Sequence, residues 1–416
     1  MFYEILAHET GMYPPIAETD YDKPTALKPK YFDLVLQKDY RPIFAFDVAG
    51  SLTDRKVGEA SGKIVRAVRA LFPGKVNHDI VGKIFHNVIP LETRKVVAAY
   101  FTNIQAGDLL ARVSIHSADD KILDPACGSG TLLVSSYKAK AKLAGGVTAK
   151  LHRQFVERDI TGMDIMAFSA HLAAVNLALQ APLFETDNVR VAVADSTGLV
   201  VGTEVEEARE VLKQAFRSRR LDEFVEGRFK AKPHERSKAG VVRIGNYRQT
   251  RIKIEPVDLV IMNPPFTNCD NLPSSYKRDL EERFSSPREH ASCIQGNLSF
   301  QAYFLLLADR LLKPEGSLAC VLPVTTFSGK AFRPTIEYFL GRYTVTAIVA
   351  GLGRSAFSEN TSLSEILLLA RRGRPDDKHR FVLLGVKKAP TEWSEDEVEE
   401  LAQAIEDRAA KETPLC

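Results

Sequence analysis

A chain of 416 residues, 45% of them hydrophobic, has apolar surface enough for a large core and more than one domain, and its net charge of +3 neither requires nor opposes a polyanionic partner. No apolar run reaches the ~18 residues of a membrane span, and the first residues lack the basic and apolar regions of a secretory signal. The five cysteines (Cys127, Cys269, Cys293, Cys320, Cys416) form no C-x-x-C or Cys/His spacing. The expectation is a soluble cytoplasmic protein with neither a disulfide framework nor a metal.

The first forty-odd residues, rich in Tyr, Pro, Asp and Lys, read as irregular chain around a short apolar segment. Apolar residues then recur at helical spacing over 52–72 (Ile64, Val65, Val68, Leu71) and 79–88 (Ile80, Ile84, Phe85, Val88), which predicts an N-terminal, mainly helical domain over 1–90. Further helix is expected over 91–102 and 104–115. From there short apolar runs alternate with amphipathic ones: 121–123, 160–163, 189–193, 259–262, 318–322 and 345–349. That alternation predicts an α/β domain over 91–390, with a parallel sheet covered on both faces. Two last runs, 364–370 and 381–386, are separated by too few residues for a crossover helix, so they are predicted to pair as a terminal antiparallel hairpin. A charged insertion over 202–256, basic from Arg217 to Lys238, interrupts the alternation. The segment 391–416 is predicted to be an acidic helix, solvated or facing a partner.

The candidate chemistry lies at the ends of the predicted strands. Ile122-Leu123-Asp124 runs into Pro125-Ala126-Cys127-Gly128-Ser129-Gly130-Thr131, a small-residue turn before a helix, where glycines allow close approach of a ligand and free N–H groups favour electron-rich atoms. Alone, such a turn suits a dinucleotide, a sulfonium cofactor or tight packing equally. The next strand ends in Asp164, placed to accept from ribose hydroxyls, and the third in Asp195, placed to accept from an adenine amino group. Each Asp taken singly could instead cap the helix that follows.

The most specific run is 258–266, a buried strand ending in Asn263-Pro264-Pro265-Phe266. The prolines fix φ and carry no N–H, which holds the Asn263 amide and the neighbouring carbonyls in a rigid arrangement. The Asn263 oxygen and the Pro264 carbonyl could each accept one hydrogen of a planar amino group, making its nitrogen nucleophilic toward a methyl donor. Phe266 could stack on the face of a base extruded from a duplex.

With these residues the sequence resembles the N6-adenine DNA methyltransferases, in particular the modification subunits of type I restriction systems. The resemblance covers about 79–372. It rests on Asp124-Pro125-Ala126-Cys127-Gly128-Ser129-Gly130 and Asn263-Pro264-Pro265-Phe266, supported by Arg94-Lys95 and Tyr100-Phe101-Thr102. It implies a Rossmann-like S-adenosylmethionine-dependent methyltransferase sheet. It also implies cofactor contacts from Phe101, Thr102, Asp124, Ala126, Cys127, Gly128, Gly130, Asp164 and Asp195, with Asn263, Pro264, Pro265 and Phe266 at the reacting amine. The family often has Gly where this chain has Ala98 and Pro where it has Asn103.

The implied reaction is transfer of a methyl group from S-adenosylmethionine to a flipped adenine in double-stranded DNA, within a restriction-modification or related defence system. Two alternatives share part of the pattern: an RNA or protein-glutamine N-methyltransferase, and a catalytically silent methyltransferase-like DNA-binding subunit. No Glu-x-Lys triplet supports a fused nuclease. Because little chain follows Val386, sequence recognition is expected from a separate specificity subunit or from a target-recognition domain of a longer protein. The basic insertion is the candidate for phosphate contacts.

Overall fold

The computed structural model describes residues 3–4, 7–8, 11–36, 55–70, 101–206 and 251–410, apart from short breaks at 182–183, 185, 187, 267–268, 270–271, 295–297, 328, 353–355, 360–362 and 377–378. The predicted helix at 79–88, Arg94, Lys95, Tyr100, the boundary near residue 90 and the basic run from Arg217 to Lys238 lie outside the described residues. Helix α1 (Arg55–Ala70) falls within the helical pattern read at 52–72. Its Val65 joins Tyr3, Tyr13, Ile16, Tyr21 and Tyr31 in a small aromatic core that also takes in Val175.

From Phe101 onward the elements are β1 (Phe101–Thr102), α2 (Ile104–Ser114), β2 (Ile122–Asp124), α3 (Thr131–Leu143), α4 (Ala149–Gln154), β3 (Ile160–Asp164), α5 (Ala167–Ala178) and β4 (Val191–Val193). A two-stranded pair, β5 (Glu204–Glu206) and β6 (Arg251–Lys253), follows. Then come β7 (Val257–Met262), α6 (Ser274–Arg283), α7 (Arg288–Cys293), α8 (Phe300–Leu311), β8 (Leu312–Pro323), α9 (Arg333–Leu340) and β9 (Tyr343–Gly351). The last elements are β10 (Ser358–Glu359), β11 (Glu365–Arg372), β12 (Val382–Val386) and α10 (Glu395–Ala410).

Among the described residues eight strands form one sheet in the order β12-β9-β11-β8-β7-β2-β3-β4. All neighbours are parallel except β11, which runs antiparallel to both β8 and β9. The apolar runs are nearly continuous because both faces are covered. Ile122, Leu259, Ile261, Ala319, Val321, Leu367 and Leu369 pack with α2 and α10, while Leu123, Val260, Met262, Leu318, Cys320, Ile366 and Leu368 pack with α8. Successive strand residues alternate between the two cores, as a two-residue side-chain period requires.

The predicted terminal hairpin needs correction. β11 pairs with β9 and β8, and β12 lies beyond β9, parallel to it. The short connection correctly implies that β11 and β12 run in opposite directions. Length limits direction and not adjacency, so the chain passes one strand and comes up on its far side.

Helix α10 also differs from its reading as a solvated or partner-facing element. Ser394 and Glu397 cap its start reciprocally, each side chain accepting from the other's backbone N–H. Its Val398, Ala402 and Ile405 are buried in the core shared with α2. Its acidic face meets cations of the same chain, Arg112 bonding to Glu406 at 2.8 Å and Lys142 to Glu399 at 2.6 Å. No helix among the described residues is long and apolar enough to cross a membrane.

Candidate active site

Strand order reverses between β2 and β7: β3 and β4 lie to one side of β2 and the remaining strands to the other. At such a switch point the connections leave in opposite directions and open a crevice at the carboxyl ends of the strands. The Asp124–Gly130 turn leaves β2 and the Asn263–Phe266 run leaves β7 at that edge, and the two strands are hydrogen-bonded neighbours.

The turn after β2 is held from within. Asp124 is 1% exposed and accepts from Ala126 N at 2.9 Å. Cys127 N donates to the Met163 carbonyl at 2.9 Å, and Gly130 N to the Cys127 carbonyl at 2.7 Å. Gly128 and Gly130 have φ of 52° and 90°, the left-handed region that side chains disfavour. At Gly130 a Cβ would also lie 2.9 Å from the Ala173 Cα, so the glycine lets α3 and α5 approach each other.

Asp164 ties this turn to the next strand, accepting from Gly128 N at 2.9 Å through one oxygen and from Met166 N at 2.7 Å through the other. Burial raises its pKa to about 6 against the pull of those two N–H groups. Burial also pushes Asp124 well above the usual carboxylate range, with the charge of Asp164 adding to the effect. A buried carboxyl, Asp124, beside the half-buried Asp164 makes a site that a cation would stabilise.

Asp195 is engaged by protein donors. Its side chain caps the short turn Ser196–Gly198 by accepting from Thr197 N at 3.2 Å. It also accepts from the Thr197 hydroxyl at 2.7 Å, Tyr276 Oη at 3.0 Å and Arg283 Nη1 at 2.5 Å. Tyr276 and Arg283 on α6 were not singled out by sequence, since neither belongs to a motif and the fold alone brings α6 to the end of β4.

Asn263 is 9% exposed and donates through Nδ2 to Thr102 Oγ1 at 3.1 Å and Ser358 Oγ at 2.9 Å. Its Oδ1 is buried with no hydrogen-bond partner among the described residues. The two hydroxyls meet because β1 and β10 pair antiparallel with Thr102 opposite Ser358. Thr102 is therefore a direct neighbour of Asn263, a contact the sequence reading did not foresee. Asn103, where the family often has Pro, caps α2 by accepting from Gln105 N at 3.0 Å and Ala106 N at 3.3 Å. Pro264 is buried, and Pro265 and Phe266 are partly so, Phe266 packing against the core that holds Ile261 and Phe357. Phe101 contributes backbone to β1.

Ser358 in turn is fastened by Glu365, whose Oε2 accepts from Phe357 N at 2.8 Å and Ser358 N at 2.7 Å. Sequence reasoning passed over both residues. The one available signal is a carboxylate opening the apolar run at Glu365, where a free charge would be costly.

Residues 76–200 match the family described as N-6 DNA Methylase, and residues 158–357 the Eco57I restriction-modification methylase. No curated protein matches the chain. Among solved structures, the type IIG restriction endonuclease BpuSI superposes with a TM-score of 0.58 at 15% identity, over 98% of this chain and 39% of that one. The type I restriction-modification methyltransferase subunit from Streptococcus thermophilus gives 0.51 at 14% identity, over 98% and 77%. The Type ISP restriction-modification enzyme LlaBIII, bound to DNA, gives 0.52 at 12% identity, over 97% and 26%. The chain thus spans well under half the length of BpuSI and of LlaBIII, and identities this low establish a shared fold alone.

Proposed function

We propose that this chain, which belongs to the N-6 DNA methylases of restriction-modification systems, methylates the exocyclic amine of adenine in double-stranded DNA. The observation that carries the reading is the buried Asn263 Oδ1, without a partner among the described residues, in an amide whose N–H groups are already occupied. An unpaired buried acceptor costs about 1–3 kcal/mol, and a ligand's amino group would relieve it.

The residues at the β2 and β3 ends suit S-adenosylmethionine, whose ammonium and sulfonium charges answer Asp124 and Asp164. When bound, that cofactor supplies an electrophilic methyl group. The turn of Asp124, Ala126, Cys127, Gly128 and Gly130 would take its methionine portion, with Phe101 and Thr102 alongside, and Asp164 would accept from its ribose hydroxyls. Asp195 would meet its adenine only with the lone pairs left by Arg283, Tyr276 and Thr197.

On the other side of the crevice, Asn263 Oδ1 and the Pro264 carbonyl would each accept a hydrogen of the target amine, while Pro265 stiffens the turn and Phe266 stacks on the base. The chain supplies position and hydrogen-bond acceptors and needs no general base. Recognition of a DNA sequence would come from a specificity subunit or from further chain, with phosphate contacts from the Arg217–Lys238 run, in a cytoplasmic defence system.

The test is transfer of labelled methyl from S-adenosylmethionine to unmethylated duplex DNA, followed by digestion to nucleosides. N6-methyladenine should form with the wild type and fall on the order of a hundredfold in Asn263→Ala, cofactor affinity being retained. Failure to bind the cofactor would overturn the assignment of the Asp124–Gly130 turn.

A further inference from the structure

We propose that Glu365 is a positioning residue that, through Ser358, fixes which way round the Asn263 amide stands. The inference rests on the reading of Asn263 Oδ1 as the acceptor for the target amine. The two ends of an amide are close to isosteric, so shape alone does not choose between them. Nor do the two hydroxyls that hold Nδ2, because a hydroxyl donates as readily as it accepts. Turned over, Asn263 would point N–H groups at the site and take hydrogen bonds from Thr102 and Ser358 instead.

Glu365 breaks this symmetry. It lies at the start of β11, is 1% exposed, and its Oε2 grips the backbone N–H groups of Phe357 and Ser358. Its Oε1 is buried and has no hydrogen-bond partner among the described residues. An ionised carboxylate only accepts. Ser358 Oγ already takes an N–H from Asn263 at 2.9 Å, so its own proton is available to the carboxylate next to it. Burial raises the Glu365 pKa, and its contacts with Ser358 and Phe357 oppose that rise without cancelling it. With the hydroxyl proton turned to Glu365, only a lone pair of Ser358 faces Asn263, and a lone pair accepts Nδ2 and repels Oδ1. In that arrangement the carboxylate, the hydroxyl and the amide would form one directed chain that ends on Asn263 Oδ1.

The first measurement uses the full chain labelled with 15N-asparagine, in which the Asn263 side-chain signal is identified by its loss in Asn263→Asp. Solvent exchange of its amide protons should quicken about tenfold in Ser358→Ala and in Glu365→Gln, whose amide can donate and so removes the bias. Ser358→Thr, which keeps the hydroxyl, should exchange as the wild type does. Unchanged exchange in both Ser358→Ala and Glu365→Gln would overturn the proposal.

The second measurement is methyl transfer to DNA. Both variants should lose kcat about tenfold with the S-adenosylmethionine dissociation constant unchanged, and the double variant should be no worse than the poorer single one. Multiplying losses, or cofactor binding that falls in parallel, would mean Glu365 acts elsewhere. If the wild type and Asn263→Ala prove equally inactive, the reading of Asn263 fails, yet the exchange measurement still decides the role of Glu365.

Discussion

At Asp164 burial and hydrogen bonding act in opposite directions, and burial wins, leaving a pKa of about 6. Ionised Asp164 is the better acceptor for ribose hydroxyls, so cofactor affinity should weaken about tenfold between pH 7 and pH 5 as the carboxylate takes a proton. Stability has the opposite sign. Because the folded pKa lies above the unfolded value, the folded state binds the extra proton between about pH 6 and pH 4, and this group's contribution rises as pH falls through that window. Calorimetric titration against pH checks the first effect and chemical denaturation the second, and Asp164→Asn should flatten both. A cofactor affinity independent of pH from 7 to 5 would exclude Asp164 from the site. Gly130 is constrained twice, by φ of 90° and by the Ala173 backbone. Gly130→Ala should therefore cost about 2–4 kcal/mol in urea unfolding, more than an ordinary loop glycine. All three strand-end carboxylates were readable in the sequence because each closes an apolar run, and both glycines because they lie in the small-residue turn after the first of them. Ser358 and Glu365 were not, since their role arises only when β10 is folded back beside β1.

Among elements, α10 shows how composition misleads when it is read without periodicity. Its acidic residues suggested a solvated helix, yet Val398, Ala402 and Ile405 recur at helical spacing and are buried against α2. Magnitudes rank the two contributions. Removing the buried Ile405 side chain to Ala should cost about 2–4 kcal/mol. Partly exposed ion pairs such as Arg112–Glu406 and Lys142–Glu399 are each worth at most about 1 kcal/mol. Thermal or urea unfolding of Ile405→Ala and Glu406→Gln should therefore differ several-fold in effect, and equal losses would show that charge rather than burial docks the helix. β12 marks a different limit of legibility. Its apolar run and its direction follow from residues 373–386, while its neighbour depends on where β11 is inserted, which no local pattern records. β8 begins at Leu312, earlier than the run at 318–322 suggested, because Lys313, Glu315 and Gly316 interrupt the apolar pattern of a strand that is exposed at that end.

Across the whole molecule, the edge of the sheet opposite the site is secured by a buried polar cluster centred on Asp309. Its carboxylate accepts from His290 Nε2 at 2.9 Å, Tyr338 Oη at 2.7 Å and Tyr343 Oη at 2.8 Å, with Arg372 at 3.6 Å. These residues come from α7, α8, α9, β9 and β11, so one side chain links the helices that cover a face of the sheet to the antiparallel strands at its far side. Burial works against the charge, but the donors from His290, Tyr338 and Tyr343 outweigh it and hold the pKa at about 2. Here the folded pKa lies below the unfolded one. The stabilisation is complete above about pH 4 and is lost as pH falls through 2, amounting to about 2 kcal/mol. Asp309→Asn retains one acceptor oxygen and no charge, so it should lower stability at pH 7 by at least that amount and remove this part of the acid-induced loss. Urea unfolding of both proteins at pH 7, 4 and 2.5 checks it: the two stabilities should converge as the pH falls. A gap that stays constant would mean that packing around residue 309, and not its charge, supplies the stability. Because the cluster lies away from the carboxyl edge, Asp309→Asn should leave cofactor affinity at pH 7 unchanged, which separates what holds the sheet together from what the sheet presents at its other end.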